Sequence, residues 1–141
     1  MRIVIILSLA LSLCISCGVD NSGSSGIAAG ENGQLNEDGT AGIEFRSIRH
    51  DFGTVKHGEK LVYDFIYNNT GDASLVIHSA RADCGCTVPE YDNKPLPPGG
   101  EGRIKVIFDT RGFRGRQTKT VQLLTNAENS VVTLAVRAMI E

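Results

Sequence analysis

Between residues 43 and 141 apolar side chains recur at every second position rather than at every third or fourth. Leu61, Tyr63, Phe65 and Tyr67 share one face of Lys60–Tyr67, Ile104, Val106 and Phe108 share one face of Arg103–Asp109, and Val132, Leu134, Val136, Ala138 and Ile140 repeat the pattern near the C-terminus. A period of two marks a strand with one buried face. Ser74–Ser79 and Thr118–Thr125, rich in β-branched or apolar residues, read as further strands. Turn-forming clusters separate these runs: Asn68–Asp72, Pro95–Gly100, Arg111–Gly115 and Asn126–Asn129. No stretch shows the 3.6-residue period of an amphipathic helix. The pattern predicts an all-β domain of about seven short strands in two packed sheets, because one sheet alone could not bury both its apolar face and its edges.

The first 42 residues carry no such alternation. Met1-Arg2 puts one positive charge ahead of Ile3–Leu13, an apolar stretch of export-signal length that falls short of the ~20 residues a membrane-spanning helix needs. Behind it, Cys14-Ile15-Ser16-Cys17-Gly18 resembles the lipobox of bacterial lipoproteins, in which a small residue precedes the cysteine that is acylated and becomes the new N-terminus. Ser16 is that small residue, so the resemblance implies lipidation, palmitate included, on Cys17. The pattern departs from its usual form where Cys14 replaces a leucine. No Asp directly follows Cys17, which by the same resemblance implies anchoring at the bacterial outer membrane, facing either the periplasm or the cell surface. From Gly18 to Gly42 the chain is dominated by Gly, Ser, Asn and acidic residues and lacks Lys and Arg. Too little apolar surface is present there to offset the entropy of ordering, so the stretch reads as a flexible tether. The expected organisation is a signal peptide at 1–16, a lipidated tether at 17–42 and one folded domain at 43–141, large enough for a single core.

Charge narrows the functional classes. The formal net charge of −2 resides in the tether's Asp20, Glu31, Glu37 and Asp38, and the domain itself is close to neutral. A near-neutral domain has no footprint for nucleic acid. Trp is absent and aromatic residues are few, so no stacking platform for sugars or bases is indicated.

Several short motifs occur in order along the domain: His50-Asp51-Phe52-Gly53-Thr54-Val55, Gly58-Glu59, Phe65–Gly71 with Asn69-Thr70-Gly71, Leu75-Val76-Ile77, Cys84-Gly85-Cys86-Thr87, Pro98-Gly99-Gly100 and Ile104-Lys105-Val106. Together they resemble the DUF1573 family, a domain of unknown function common in Bacteroidetes lipoproteins. The resemblance covers essentially the whole domain. It implies an immunoglobulin-like, antiparallel β-sandwich similar to pilus-chaperone domains, and it brings no established activity.

Candidate chemistry centres on cysteine. Cys14 leaves with the signal and Cys17 carries lipid, so Cys84 and Cys86 have only each other as intramolecular partners. A disulfide across one intervening residue closes a very small ring, removes little unfolded-state entropy and makes a weak staple. Three readings stay open for the pair: a closed disulfide or quiet thiols shaping a turn, favoured by an oxidising compartment; thiol exchange; and soft-metal binding, above all Cu(I), with His78 as a third candidate ligand. Gly85 is expected to supply backbone freedom at the turn. Arg111, Arg114, Arg116 and Lys119 form a candidate anion-binding loop through guanidinium forks. His50 and His57 flank Asp51-Phe52-Gly53, read as a turn, and no nucleophile accompanies either in the sequence. The resulting expectation is a non-enzymatic, lipid-anchored envelope protein whose domain is a binding or structural module without cofactor. Its partners are membrane lipid through acylated Cys17 and another envelope protein, with no nucleic acid. The alternative is a thiol-redox or Cu(I)-handling protein working through Cys84-Gly85-Cys86.

Overall fold

A computed structural model describes residues 39–141; the expected signal peptide, Cys14, Cys17 and most of the expected tether lie outside the described residues. Eight strands follow in order: β1 (Glu44–Phe45), β2 (Arg49–Val55), β3 (Lys60–Asn68), β4 (Ile77–Ala82), β5 (Thr87–Tyr91), β6 (Glu101–Asp109), β7 (Gly115–Thr125) and β8 (Val131–Ile140). They form two four-stranded sheets, β1-β3-β6-β5 and β2-β8-β7-β4. Pairing is antiparallel except between β2 and β8, which run parallel.

The core lies where the period of two places it. Phe65 on β3, Ile104, Val106 and Phe108 on β6, Leu123 on β7 and Leu134 and Val136 on β8 are all buried between the sheets. Each such side chain stabilises the fold by about 1.5–3 kcal/mol on burial. Tyr63 is half-buried, and His50 of β2 stacks on its ring with centroids 3.6 Å apart, covering one face of it.

Three local features differ from the sequence reading. Asp51-Phe52-Gly53 is not a free turn but a bulge inside β2: pairing with β8 slips between Asp51 and Thr54, Gly53 sits at φ +71°, and Asp51 Oδ1 accepts the Gly53 N–H at 2.9 Å. The glycine supplies the left-handed angle and the aspartate the turn-like bond, so a turn signature appears within a strand. The strand expected at Ser74–Ser79 begins later, at Ile77, because Leu75 is engaged in an isolated bridge to Leu96. Gly39–Gly42 packs against the domain: Thr40 N–H donates to Asp72 Oδ1 at 2.7 Å, Gly42 N–H donates to Asn69 Oδ1 at 3.2 Å, and Ala41 is buried. Composition overlooks this contact because it is made by backbone and one methyl group.

Asn69 organises that corner. It is buried; its Oδ1 accepts from Gly42 and Gly71, and its Nδ2 donates to Ala73 O and Leu96 O at 2.8 and 2.9 Å. A buried amide with both ends satisfied fixes several chain segments at once. A Cβ on Gly71 would strike the backbone of Thr40 and Gly42, so Asn69-Thr70-Gly71 is a structural motif.

Candidate functional site

Cys84-Gly85-Cys86 forms the crossover from β4 in one sheet to β5 in the other, and the two cysteines are joined by a disulfide with Cα atoms 5.3 Å apart. The crossover is held at both ends. Asp83 N–H donates to Thr120 O at 3.1 Å, and its Oδ2 accepts from the Thr120 N–H and hydroxyl at 3.0 and 3.2 Å, which ties it to β7. Cys86 O accepts the Asp109 N–H at 2.9 Å, tying it to β6. The buried Thr87 hydroxyl lies 3.7 Å from each sulfur. Gly85 is exposed, has no left-handed φ and has nothing within 4 Å of where a Cβ would stand. The backbone-freedom role expected for this glycine is therefore not used. His78 is exposed near the start of β4, at the end away from the crossover, and is not brought to the sulfurs. Among the described residues no three His, Cys, Asp or Glu side chains gather in a metal-ligand arrangement.

The cations of the candidate anion loop diverge. Arg111 Nε lies 3.0 and 2.9 Å from the two carboxylate oxygens of Asp109, and its backbone N–H also donates to Oδ1. These hydrogen bonds, the side-chain ones foremost, hold the Asp109 carboxyl down at about 2, and the same partner raises the Arg111 guanidinium. The Lys119 ammonium rests 4.1 Å from the Phe113 ring centroid, a cation–π contact. Arg114 stays exposed at the turn, while Arg116 belongs to β7 and points to the outer face of its sheet. His57 props the same turn, its Nε2 accepting the Gly112 N–H at 3.1 Å. The four cations, three arginines and one lysine, thus occupy four separate environments.

The sheet margins contain a feature that periodicity does not reveal. β6 pairs with all nine residues of β3, but β1 pairs only with Tyr67 and Asn68. Arg46 N–H donates to Ile66 O, so the backbone groups of even-numbered β3 residues point away from β6. Among the described residues those of Val62 and Asp64 have no backbone partner on that side. The other margins are blunted: β5 contains Pro89, and β2 and β4 are both irregular in register. At the open β3 edge Val62 is 52% exposed, and the cross-strand row it begins runs over Ile107 of β6 to Val88 of β5, which is 50% exposed.

Two packed sheets with this strand order define an immunoglobulin-like sandwich of the PapD-like kind. The sequence matches the model of the family described as "Protein of unknown function (DUF1573)" over residues 43–140, and the chain belongs to that family. A protein of unknown function from Porphyromonas gingivalis W83 has a similar structure, with TM-score 0.64 at 19% identity, covering 77% of this chain and 51% of that one. The chain therefore spans about half the length of that relative. PapD-like domain 7 of human CEP192 superposes with TM-score 0.58 at 13% identity over 70% of this chain and 84% of that one. Part of the Vibrio cholerae VesB protease does so with TM-score 0.54 at 12% identity, over 72% of this chain and 32% of that one. At these identities the likeness is one of fold. No curated protein matches the sequence.

Proposed function

We propose that the protein is a non-enzymatic binding module of the bacterial envelope, exported, anchored at the outer membrane by lipid on Cys17, and carried on a tether that lets the sandwich meet a partner protein. One observation carries this reading: among the described residues the backbone of Val62 and Asp64 has no partner on the outer side of β3, beside exposed Val62, while the other sheet margins are interrupted by proline or bulges. Such an edge accepts an added strand through main-chain hydrogen bonds, with side chains choosing the partner. The test is photo-crosslinking in living cells with the reactive group at Val62 or, as control, at Gln122 on the opposite sheet. A discrete adduct with an envelope protein from Val62 alone is expected; no adduct from Val62, or the same adduct from both sites, contradicts the reading. Globomycin, which blocks lipoprotein signal cleavage, should leave an uncleaved chain, and a Cys17→Ser chain should lose its lipid mass.

A second reading has its own observation. The buried Thr87 hydroxyl stands equidistant from both sulfurs of a disulfide in a partly exposed crossover. A hydroxyl there would stabilise whichever thiolate leaves when the bond is attacked. Thr87→Val should then slow reduction by dithiothreitol, followed by thiol counting. Mass spectrometry of the reduced chain with Cu(I) tests metal handling by the same pair. Unchanged reduction kinetics and no copper adduct would remove this reading.

A further inference from the structure

The outer face of β2-β8-β7-β4 carries a line of arginines. Arg116 on β7 is opposite Met139 on β8, Arg137 lies two residues along β8, and Arg49 on β2 is opposite Ala135, two residues further. These three therefore step diagonally across three strands, with neighbours roughly 7–8 Å apart. All three are exposed, and none forms an ion pair among the described residues. Asp51 is opposite Arg137, but its Oδ1 is used by the Gly53 N–H. Like charges at neighbouring sheet positions disfavour the fold; Asp51 offsets part of that repulsion at Arg137, whereas Arg116 and Arg49 have Met139 and Ala135 opposite them on β8 and gain no such compensation.

Two shallow grooves occupy the steps of that line. One, of about 330 Å³, lies between Arg116 and Arg137 and includes Thr54 and the acidic Asp51; the other, of about 590 Å³, lies between Arg137 and Arg49 and includes Thr120 and Thr133 beside the apolar Ile48 and Val131. Arg137 borders both. We propose that this diagonal binds an acidic polysaccharide, its carboxylates taken by successive guanidinium forks and its ring hydroxyls by the threonines. The repeated cation–groove–cation order fits an extended chain of spaced negative charges better than a single small anion. No aromatic ring lies on the diagonal to stack nucleic-acid bases, and the site is a sheet face rather than an edge, so strand addition by an acidic peptide does not use it. The inference is independent of the open β3 edge.

The test is a titration of the full chain in a non-ionic detergent with polygalacturonate, with neutral dextran and with phosphatidylglycerol vesicles, at low salt. Polygalacturonate should bind, dextran should not, and added salt should weaken binding. Arg137→Glu should weaken it at least ~10-fold and Arg137→Gln by less, since each good charged contact is worth a factor of this order. Arg114→Glu, at a turn off the diagonal, should change it less than twofold, and Asp51→Asn should tighten it. Thermal unfolding of each variant identifies any that fails to fold, and Arg137→Gln carries the test if Arg137→Glu does. Absence of polygalacturonate binding, equal loss with Arg114→Glu, equal binding of dextran, or binding of vesicles in place of the polysaccharide overturns the proposal.

Discussion

The two sheets contribute to the same core by the same alternation, yet they treat their outer surfaces in opposite ways. On β1-β3-β6-β5 the face is neutralised across strands, Lys105 with Glu90 at 3.3 Å, Arg103 with Asp64 at 3.9 Å and Arg46 with Glu101, while among the described residues the β3 edge is left open. On β2-β8-β7-β4 both margins are irregular in register and the face keeps Arg49, Arg81, Arg116 and Arg137 without ion pairs among the described residues. Burial constrains only the inward half of each strand. The outward half is free to vary, and in this domain it diverges into one sheet that exposes backbone and another that exposes charge.

The strongest challenge to that contrast compares neighbours on one strand. Phe65→Ala should destabilise the domain by about 3–5 kcal/mol, the cost of a large core truncation. Val62→Ala, on the outer face of the same strand, should stay within about 0.5 kcal/mol. Thermal and urea unfolding would read both, and similar losses would mean that the outer face is a second core covered by something else. Next in size, Asp83→Ala removes two hydrogen bonds from β7 at the crossover and should cost about 1–2 kcal/mol in the same assay. No loss would show that the crossover does not tie the sheets together.

Charge removal should separate the faces more finely. Lys105→Gln gives up a solvent-exposed pair with Glu90, worth at most about 0.5 kcal/mol after solvent screening, whereas Arg137→Gln should leave unfolding unchanged or slightly raise its midpoint. A larger loss at Arg137 would reveal an unrecognised structural partner. The smallest effect is expected at the crossover glycine: Gly85→Ala should be neutral or stabilise by up to about 1 kcal/mol, since neither its φ nor its surroundings require glycine. A clear loss would mean that the disulfide loop needs a conformation alanine resists.

Much of this division was hidden in the sequence for identifiable reasons. The inward residues of β3, β6 and β8 were legible because burial enforces the period of two, as Phe65, Val106 and Leu134 show. β2 was masked because Asp51 and Gly53 carry turn chemistry inside a strand, and β1 because two residues are too few to show a period. The Cys84–Cys86 pairing was among the sequence readings, but its position between sheets was not, since connectivity between sheets leaves no local signal. Arg111, Arg114, Arg116 and Lys119 looked like one cluster because they are close in sequence. Asp109 and Phe113 claim two of them, and Arg116 joins Arg137 and Arg49, which lie far from it along the chain and meet it only through strand register.

The open edge of β3 underlies the proposed binding role, and amide hydrogen exchange along that strand tests it most directly. The N–H groups of Leu61, Tyr63 and Phe65 face β6 and should exchange slowly, near the rate set by global unfolding, while those of Val62 and Asp64 should exchange as fast as surface loops. Such alternation in the free chain, with Val62 and Asp64 becoming protected when the crosslinked partner is present, is the predicted result. Equal protection of all five amides in the free chain would mean that the edge is already covered and would contradict the account.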